Sequence, residues 1–232
     1  MEVTKANTLD FANSLAFVAD KSATDINQLG EALSNCGAQA GSMGYSIQDV
    51  SVLLGIMADN GIKSGRAGTA LKNIMNRVAT GNSSAAKAIK EYNLQGFEQE
   101  MLNGNLAGAM MKLCQETEKY TPAQKQAIAT AIAGAYGMNG LLSVMNKGTE
   151  GIKEYCKALE EENKLEEEKR RLSVLTAEVM DTTKGKMEQL SSVMGVLASE
   201  FKDKLDPYVQ KALDGVLSFA KGLMEVDKQG NV

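Results

Sequence analysis

Apolar residues recur three or four positions apart along nearly the whole chain, the period of an amphipathic helix rather than the alternation of a strand. The spacing predicts a first helix through Leu9, Ala12, Leu15, Ala16 and Ala19 and, after a break at residues 21–24, a second through Ile26, Leu29, Leu33 and Cys36. A third begins at Ser46, whose hydroxyl is placed to accept the Asp49 amide in a capping box. It carries Ile47, Val50, Leu54 and Met57 and stops at Asn60-Gly61. A fourth runs from Ser64 through Ala67, Leu71, Ile74, Met75 and Val78 to Gly81, and a short fifth, Asn82 to Tyr92, presents Ala85, Ala88 and Ile89 on one side. The stretch from Asn93 to Gly104 reads as a loop. Two more helices follow, one over Leu106 to Glu118 and one with Pro122 in its first turn, where a missing amide costs nothing, and Thr121 as its cap.

From Gly148 the character changes. A charged run from Glu160-Glu161-Glu162 through Glu166-Glu167-Glu168 to Arg170-Arg171 is interrupted only by Leu159, Leu165 and Leu172, and reads as a long solvated helix. Beyond it Met187, Leu190, Met194, Leu197 and Phe201 fall at the alternating three and four spacing of a coiled-coil seam, with Pro207 breaking the pattern and a hairpin expected near residues 204–206. No apolar/polar alternation extends beyond a few positions. The expectation is therefore an all-α chain: a bundle of short helices over residues 1–147, then a long helical extension over residues 148–232.

Composition restricts what such a chain does. With 44% hydrophobic residues but only 5% aromatic ones and no Trp, the core has to be built from Ala, Leu, Ile, Val and the 13 Met. At 232 residues a stable core needs no metal or disulfide staple. The net charge of -4 gives no electrostatic reason to expect nucleic-acid binding. Cys36, Cys114 and Cys156 are odd in number and far apart, as reduced core residues would be. The residues after Met1 are polar and charged, so no secretory signal is expected and folding in the cytoplasm is.

Catalysis is disfavoured first by the absence of any histidine, the commonest general base and metal ligand. Glu160 with Glu167, and Glu166 with Arg170, belong to a charge run whose ordinary meaning is a solvated helix face. The glycine-rich stretch from Gly61 to Thr69 contains Lys63 and Ser64, but a phosphate-binding loop needs its Lys after the last Gly and a strand before the loop. A tight turn in which Gly65 and Gly68 let helices approach is the better reading. Gly37, Gly41 and Gly44 lack dinucleotide spacing, and Asn82-Ser83-Ser84 is a sequon of chance frequency. No catalytic, cofactor-binding or metal-binding residue is assigned, and no cofactor or small-molecule substrate is expected.

One stretch is physically unusual. Ala127 to Asn146 holds twenty residues without a formal charge, the length of a bilayer span. Its Ala content and Gly134, Gly137, Asn139 and Gly140 favour two short core helices joined at a break near Tyr136-Gly137 over a stable membrane helix.

Three stretches carry a family resemblance: Leu29-Gly30-Glu31-Ala32-Leu33, then Gly44-Tyr45-Ser46-Ile47-Gln48-Asp49, then Ala58 through Gly61-Ile62-Lys63-Ser64-Gly65-Arg66-Ala67-Gly68-Thr69-Ala70-Leu71. They resemble the core of phage tail tape measure proteins, in which an L-G-E-A-L stretch leads to a G-x-S-x-E/D helix start and an A-x-x-G-I-x-G/S-x-x-A-G-T-A-L turn. Ala85 to Lys90 with Asn93-Leu94, and Ala133 to Leu142, extend the likeness, which covers residues 9–150. Members of that family are usually much longer, so the chain resembles a piece of one or a short relative. The resemblance implies a non-catalytic virion component in the lumen of the tail tube, made in the bacterial cytoplasm. It implies a protein that sets tail length, assembles with tail chaperone, tube and baseplate proteins, and leaves with the genome. Self-association through helices and transient host membrane contact belong to the same expectation; specific nucleic-acid binding does not. A membrane-active pore or toxin component, resting on Ala127 to Asn146, and a cytosolic helical adaptor are the alternative readings.

Overall fold

The computed structural model describes residues 5–165, with side chains from residue 12 onward. These residues form eight helices: α1 (Lys5–Lys21), α2 (Ile26–Ser42), α3 (Ile47–Asp59), α4 (Ser64–Ala79), α5 (Ser83–Glu91), α6 (Gln95–Leu102), α7 (Leu106–Thr117) and α8 (Pro122–Asn163). The chain is all-α, with no strand among the described residues. The seam from Met187 to Phe201, the hairpin near residue 205 and the second half of the charged run lie outside them.

One device ends five successive helices. After α2, α3, α4, α5 and α6 the chain enters a left-handed residue, Gly44 (φ 76°), Gly61 (φ 77°), Gly81 (φ 60°), Asn93 (φ 53°) and Gly104 (φ 79°) respectively. That turn lets the next two amides reach back to carbonyls the helix has left unpaired: Gly61 to Ala58 and Ile62 to Met57, both at 2.9 Å, close α3. Gly and Asn tolerate this conformation best, which is why the sequence punctuates its helices with them.

At the other ends the caps are side chains. Asp25 accepts from Gln28, Asn82 from Ser84 and Ala85, and Thr121 forms a reciprocal capping box with Gln124. Ser46 accepts the Asp49 amide at 3.0 Å. The expected reciprocal half of that box is corrected: the Asp49 carboxylate turns instead to the Ala107 amide at 3.1 Å and caps α7 from a distance.

α3 is the centre of the bundle. Every residue from Val50 to Ala58 is buried, and α3 touches α1, α2, α4, α7 and α8. A helix that is apolar all round belongs in an interior. Around it lie the predicted stripes: Leu29, Leu33 and Cys36 of α2, Ala67, Leu71, Ile74, Met75 and Val78 of α4, and Ala85, Ala88 and Ile89 of α5 are all buried. Each fully buried Leu, Ile, Met or Phe contributes about 1.5–3 kcal/mol of transfer free energy.

Two expectations fail. The supposed loop from Asn93 to Gly104 contains α6, with Leu94, Phe97 and Met101 buried at spacings of three and four. And the break in the uncharged stretch falls at Gly134 (φ 71°, ψ 175°), not at Tyr136-Gly137, with a second interruption at Gly148 (φ 73°, ψ 170°). Gly148 coincides with the compositional change, but the segment beyond it turns back onto the bundle, burying Ile152 and Leu159.

Candidate functional site

The three stretches of the resemblance meet in space, and what they build is a helix crossing. α2 and α4 share the most extensive helix contact among the described residues. At its centre a Cβ placed on Gly68 would lie 2.1 Å from the carbonyl oxygen of Ala32, so the helix of Ala-Gly-Thr-Ala-Leu rests directly on the backbone of Leu-Gly-Glu-Ala-Leu. Leu29, Gly30, Ala32 and Leu33 supply the α2 side, Ala67, Gly68 and Leu71 the α4 side, and all are buried. Gly65, one turn earlier, lies against Asn35 and the carboxylate of Glu31.

The opposite side of α4 also lies close to α8. A Cβ on Gly137 would come within 3.2 Å of the Ala70 carbonyl, and one on Gly140 within 2.8 Å of the Ala70 Cβ and 3.2 Å of Met57 Sδ. Gly137, expected to break the helix, is thus the residue that lets α8 approach. The break at Gly134 has its own partner. It frees carbonyls in the preceding turn, and Arg77 of α4 takes two of them, Nε donating to Ile132 at 3.1 Å and a terminal nitrogen to Ala131 at 3.0 Å. Arg77 also lines an open depression of about 570 Å³ with Ser84 and with Ala123, Gln126, Ala127, Thr130 and Ala131 of α8.

The remaining stretch clamps the sequence-distant helices. Tyr45 is buried and its hydroxyl donates to the Met101 carbonyl of α6 at 2.8 Å, and burial pushes its ionisation above the ordinary tyrosine range. Ser46 and Asp49 cap α3 and α7 as described. α6 in turn takes its cap from α7: the Glu116 carboxylate accepts the amides of Gly96 at 3.0 Å and Phe97 at 3.2 Å. A carboxylate suits the positive end of a helix.

Ser64 (φ 52°) stands at the place where the family pattern takes Gly or Ser, and its left-handed backbone explains that choice. The phosphate-loop reading of this turn finds no support. A helix, not a strand, precedes it, and the Glu31 carboxylate already lies beside the first turn of α4.

The thiols are equally unsuited to nucleophilic chemistry. Burial raises Cys36 to about 12, although Lys72 opposes the shift, and raises Cys114 and Cys156 to about 11. Cys114 directs its S–H to the Val144 and Met145 carbonyls, both at 3.8 Å. All three are free thiols held protonated at neutral pH. Among the described residues no group of His, Cys, Asp or Glu is arranged to hold a metal ion.

The chain matches the family described as phage-related minor tail protein over residues 1–134. It is also similar to the tape measure protein of Pneumococcus phage Dp-1, at 24% identity over 229 residues, covering 94% of this chain and 19% of that relative. The chain therefore spans about a fifth of the length of the curated relative it matches. No solved structure matches. The family match covers more than half of the sequence and includes all three stretches that build the α2–α4 crossing and its clamps, and the chain belongs to the phage-related minor tail protein family.

Proposed function

We propose that this chain is the compact helical core of a tail tape measure protein, a non-catalytic virion component that lies in the tail tube. In this reading it takes part in tail assembly and length determination and leaves the tube during genome delivery. One observation carries the reading. The residues that carry the family resemblance serve helix packing and capping: Gly68 seats α4 on the Ala32 backbone, Tyr45 ties α3's approach to α6, and Asp49 caps α7. In this reading residues 1–147 form the core, the rest of α8 packs back on it, and the rod begins farther along residues 148–232. The test is genetic and dimensional: in a phage or prophage encoding this chain, in-frame deletions from the rod shorten the tail by about 1.5 Å per residue. Tails of unchanged length in electron micrographs reject the length-setting role. Loss of tails altogether with Gly68→Leu, and their return on reversion, supports the assembly role of the core.

A second reading keeps one specific observation. α8 is long and apolar enough to cross a membrane, with a mean hydropathy of 1.4 over its most apolar window, although 56% of that window is buried in the bundle. Ile128, Ile132, Leu141 and Val144 would have to leave the core for insertion. Liposome flotation that disappears when Leu141 and Val144 are changed to Asn favours this reading, and no flotation at any lipid composition dismisses it.

A further inference from the structure

α8 is broken twice, and the two breaks are alike in backbone and unlike in what holds them. Gly134 (φ 71°, ψ 175°) and Gly148 (φ 73°, ψ 170°) adopt the same conformation, one nearly closed to residues with a Cβ. Neither glycine is there for want of space. A Cβ on Gly134 would touch Arg77 at 3.6 Å, an ordinary contact, and one on Gly148 would meet nothing within 4 Å.

Each break opens the ladder of helix bonds, and a neighbouring helix supplies the replacement donor. At Gly134 it is the Arg77 guanidinium of α4, with N–H bonds of 3.1 and 3.0 Å to the Ile132 and Ala131 carbonyls. At Gly148 it is the Cys114 thiol of α7, 3.8 Å from the carbonyls of Val144 and Met145. A charged fork is a strong donor and a thiol a weak one. The flanking segments differ in the same sense. Ile128, Ala129, Ile132 and Ala133 are buried before Gly134 and Leu141, Val144 and Met145 after it, whereas residues 149–163 bury only Ile152 and Leu159.

What else holds residues 149–163 is polar. Asn163 bonds to Asn13 and Ser14, Tyr155 to Ser22, and the Thr149 hydroxyl donates to the Met111 carbonyl at 3.3 Å. The ion pairs of Glu150 with Lys153, Lys157 with Glu161 and Glu160 with Lys164 join neighbouring turns of this same segment, so they travel with it. Where it covers α3 the surface is small and polar. Gly55 lies against Val18, Ser22 and Tyr155, and one turn earlier on the same face the buried Ser51 hydroxyl has no hydrogen-bond partner among the described residues. An unpaired buried hydroxyl is costly, and lifting the cover returns it to water.

We propose that Gly148 is a hinge and Gly134 a fixed bend: residues 149–163 swing off α1 and α3 as one arm, and α8 becomes continuous through residue 148. Glycine serves both states, since it tolerates the positive φ of the closed arm and the helical backbone of the open one. On opening, the Met145 carbonyl passes from the Cys114 thiol to the Thr149 amide, the ordinary helix bond four residues on. The α2–α4 crossing is untouched. The hinge does not depend on the length-setting role.

Electron–electron distance measurements on the full chain test it, with nitroxides on ketone-bearing residues in place of the exposed Tyr136 and Glu161 so that the native thiols stay unlabelled. These positions lie about 38 Å apart in a continuous helix and closer together when the arm is closed. The wild type should show the short distance with a minor population at the continuous-helix distance. Asn163→Ala should raise that population about tenfold, the fold-change of one lost buried hydrogen bond. Gly148→Ala should make it dominant, and Gly134→Ala should leave it unchanged. Thiol labelling needs no glycine variant to fold: below the urea midpoint iodoacetamide should modify Cys114 well before Cys36, and Asn163→Ala should speed Cys114 alone, because opening uncovers the hinge thiol and not the one in α2. A folded Gly148→Ala chain that keeps the short distance, a long distance gained equally through Gly134→Ala, or Cys114 and Cys36 modified together only as the whole chain unfolds, overturns the hinge.

Discussion

The α2–α4 crossing and the far end of the bundle, where α1 meets the last turns of α8, hold helices together by different physics. At the crossing Gly68 lets one backbone lie on another at Ala32, flanked by the buried apolar side chains of Leu29, Leu33 and Leu71. At the α1–α8 end the contact is stitched by polar groups. Asn13 Nδ2 donates to Asn163 Oδ1 at 2.9 Å, Asn163 Nδ2 donates to Ser14 at 3.3 Å, and the Ser22 and Tyr155 hydroxyls pair beside Gly55. Asn13 and Ser14 are fully buried, so these bonds replace water that the side chains have lost. Backbone-to-backbone packing tolerates no added atom, whereas polar stitching tolerates a shift but not the loss of a partner.

The sharpest way to break the comparison is to add atoms to the dry side. Gly68→Leu should cost more than about 3 kcal/mol, at the upper end of overpacking effects, because the obstruction is a backbone carbonyl that cannot rotate away. Gly61→Ala adds the same first atom where nothing lies within 4 Å, and should cost only the left-handed strain of about 1–2 kcal/mol. Urea denaturation of both variants reads the difference. Equal losses would mean that conformation, not space, decides the role of the glycines.

Alkaline pH should also weaken the dry side, through Cys36. The Cys36 thiol, raised by burial from an ordinary value near 9 to about 12, keeps a proton in the folded chain that the unfolded chain releases. Its contribution is complete below pH 9 and falls as the pH rises toward 12, reaching a loss of about 2 kcal/mol near pH 10.5. Tyr155, at the polar end, rises from an ordinary value near 10 to about 12, so its loss begins about one pH unit higher, while Cys114 and Cys156, raised to about 11, lose nearly as much as Cys36 by that pH. Melting curves at pH 8 and about pH 10.5 should show a drop that Cys36→Ala reduces. A drop of the same size in that variant assigns it elsewhere.

On the stitched side, Asn163→Ala removes the oxygen to which the buried Asn13 amide donates and should cost about 1–2 kcal/mol. The loss should be local. Hydrogen exchange is expected to rise in α1 and in residues 149–163 while α2 and α4 keep their protection. Uniform loss of protection would show that the two regions open as one unit.

This contrast also explains what the sequence disclosed. Seven of the helices follow from apolar spacing and from caps that lie beside them in sequence, such as Thr121 with Gln124. α6 was hidden because it has no local cap: Leu94 precedes it with no side-chain bond, and its amides are taken by Glu116, about twenty residues away. The Gly134 break was misplaced because its stabilising partner, Arg77, lies on another helix. The family stretches were legible as motifs, and Gly68 as a site of close packing. That Gly68 faces the Ala32 carbonyl was not legible, since the two stand 36 positions apart and no local pattern links them.

The smallest test sits at the edge of the dry crossing. Ser64 holds φ 52° at the start of α4, where a non-glycine residue gives up about 1–2 kcal/mol to its own Cβ. Glycine removes that strain but adds about 0.5–1 kcal/mol of unfolded-chain entropy, so Ser64→Gly should stabilise the chain by about 0.5 kcal/mol. Ser64→Val, with a branched Cβ in the same conformation, should destabilise it by about 1–2 kcal/mol. The opposite signs make the pair informative despite the small magnitudes. If both variants lose stability, the Ser64 hydroxyl matters more than its backbone, and the Gly or Ser choice at this turn reflects a bond rather than strain.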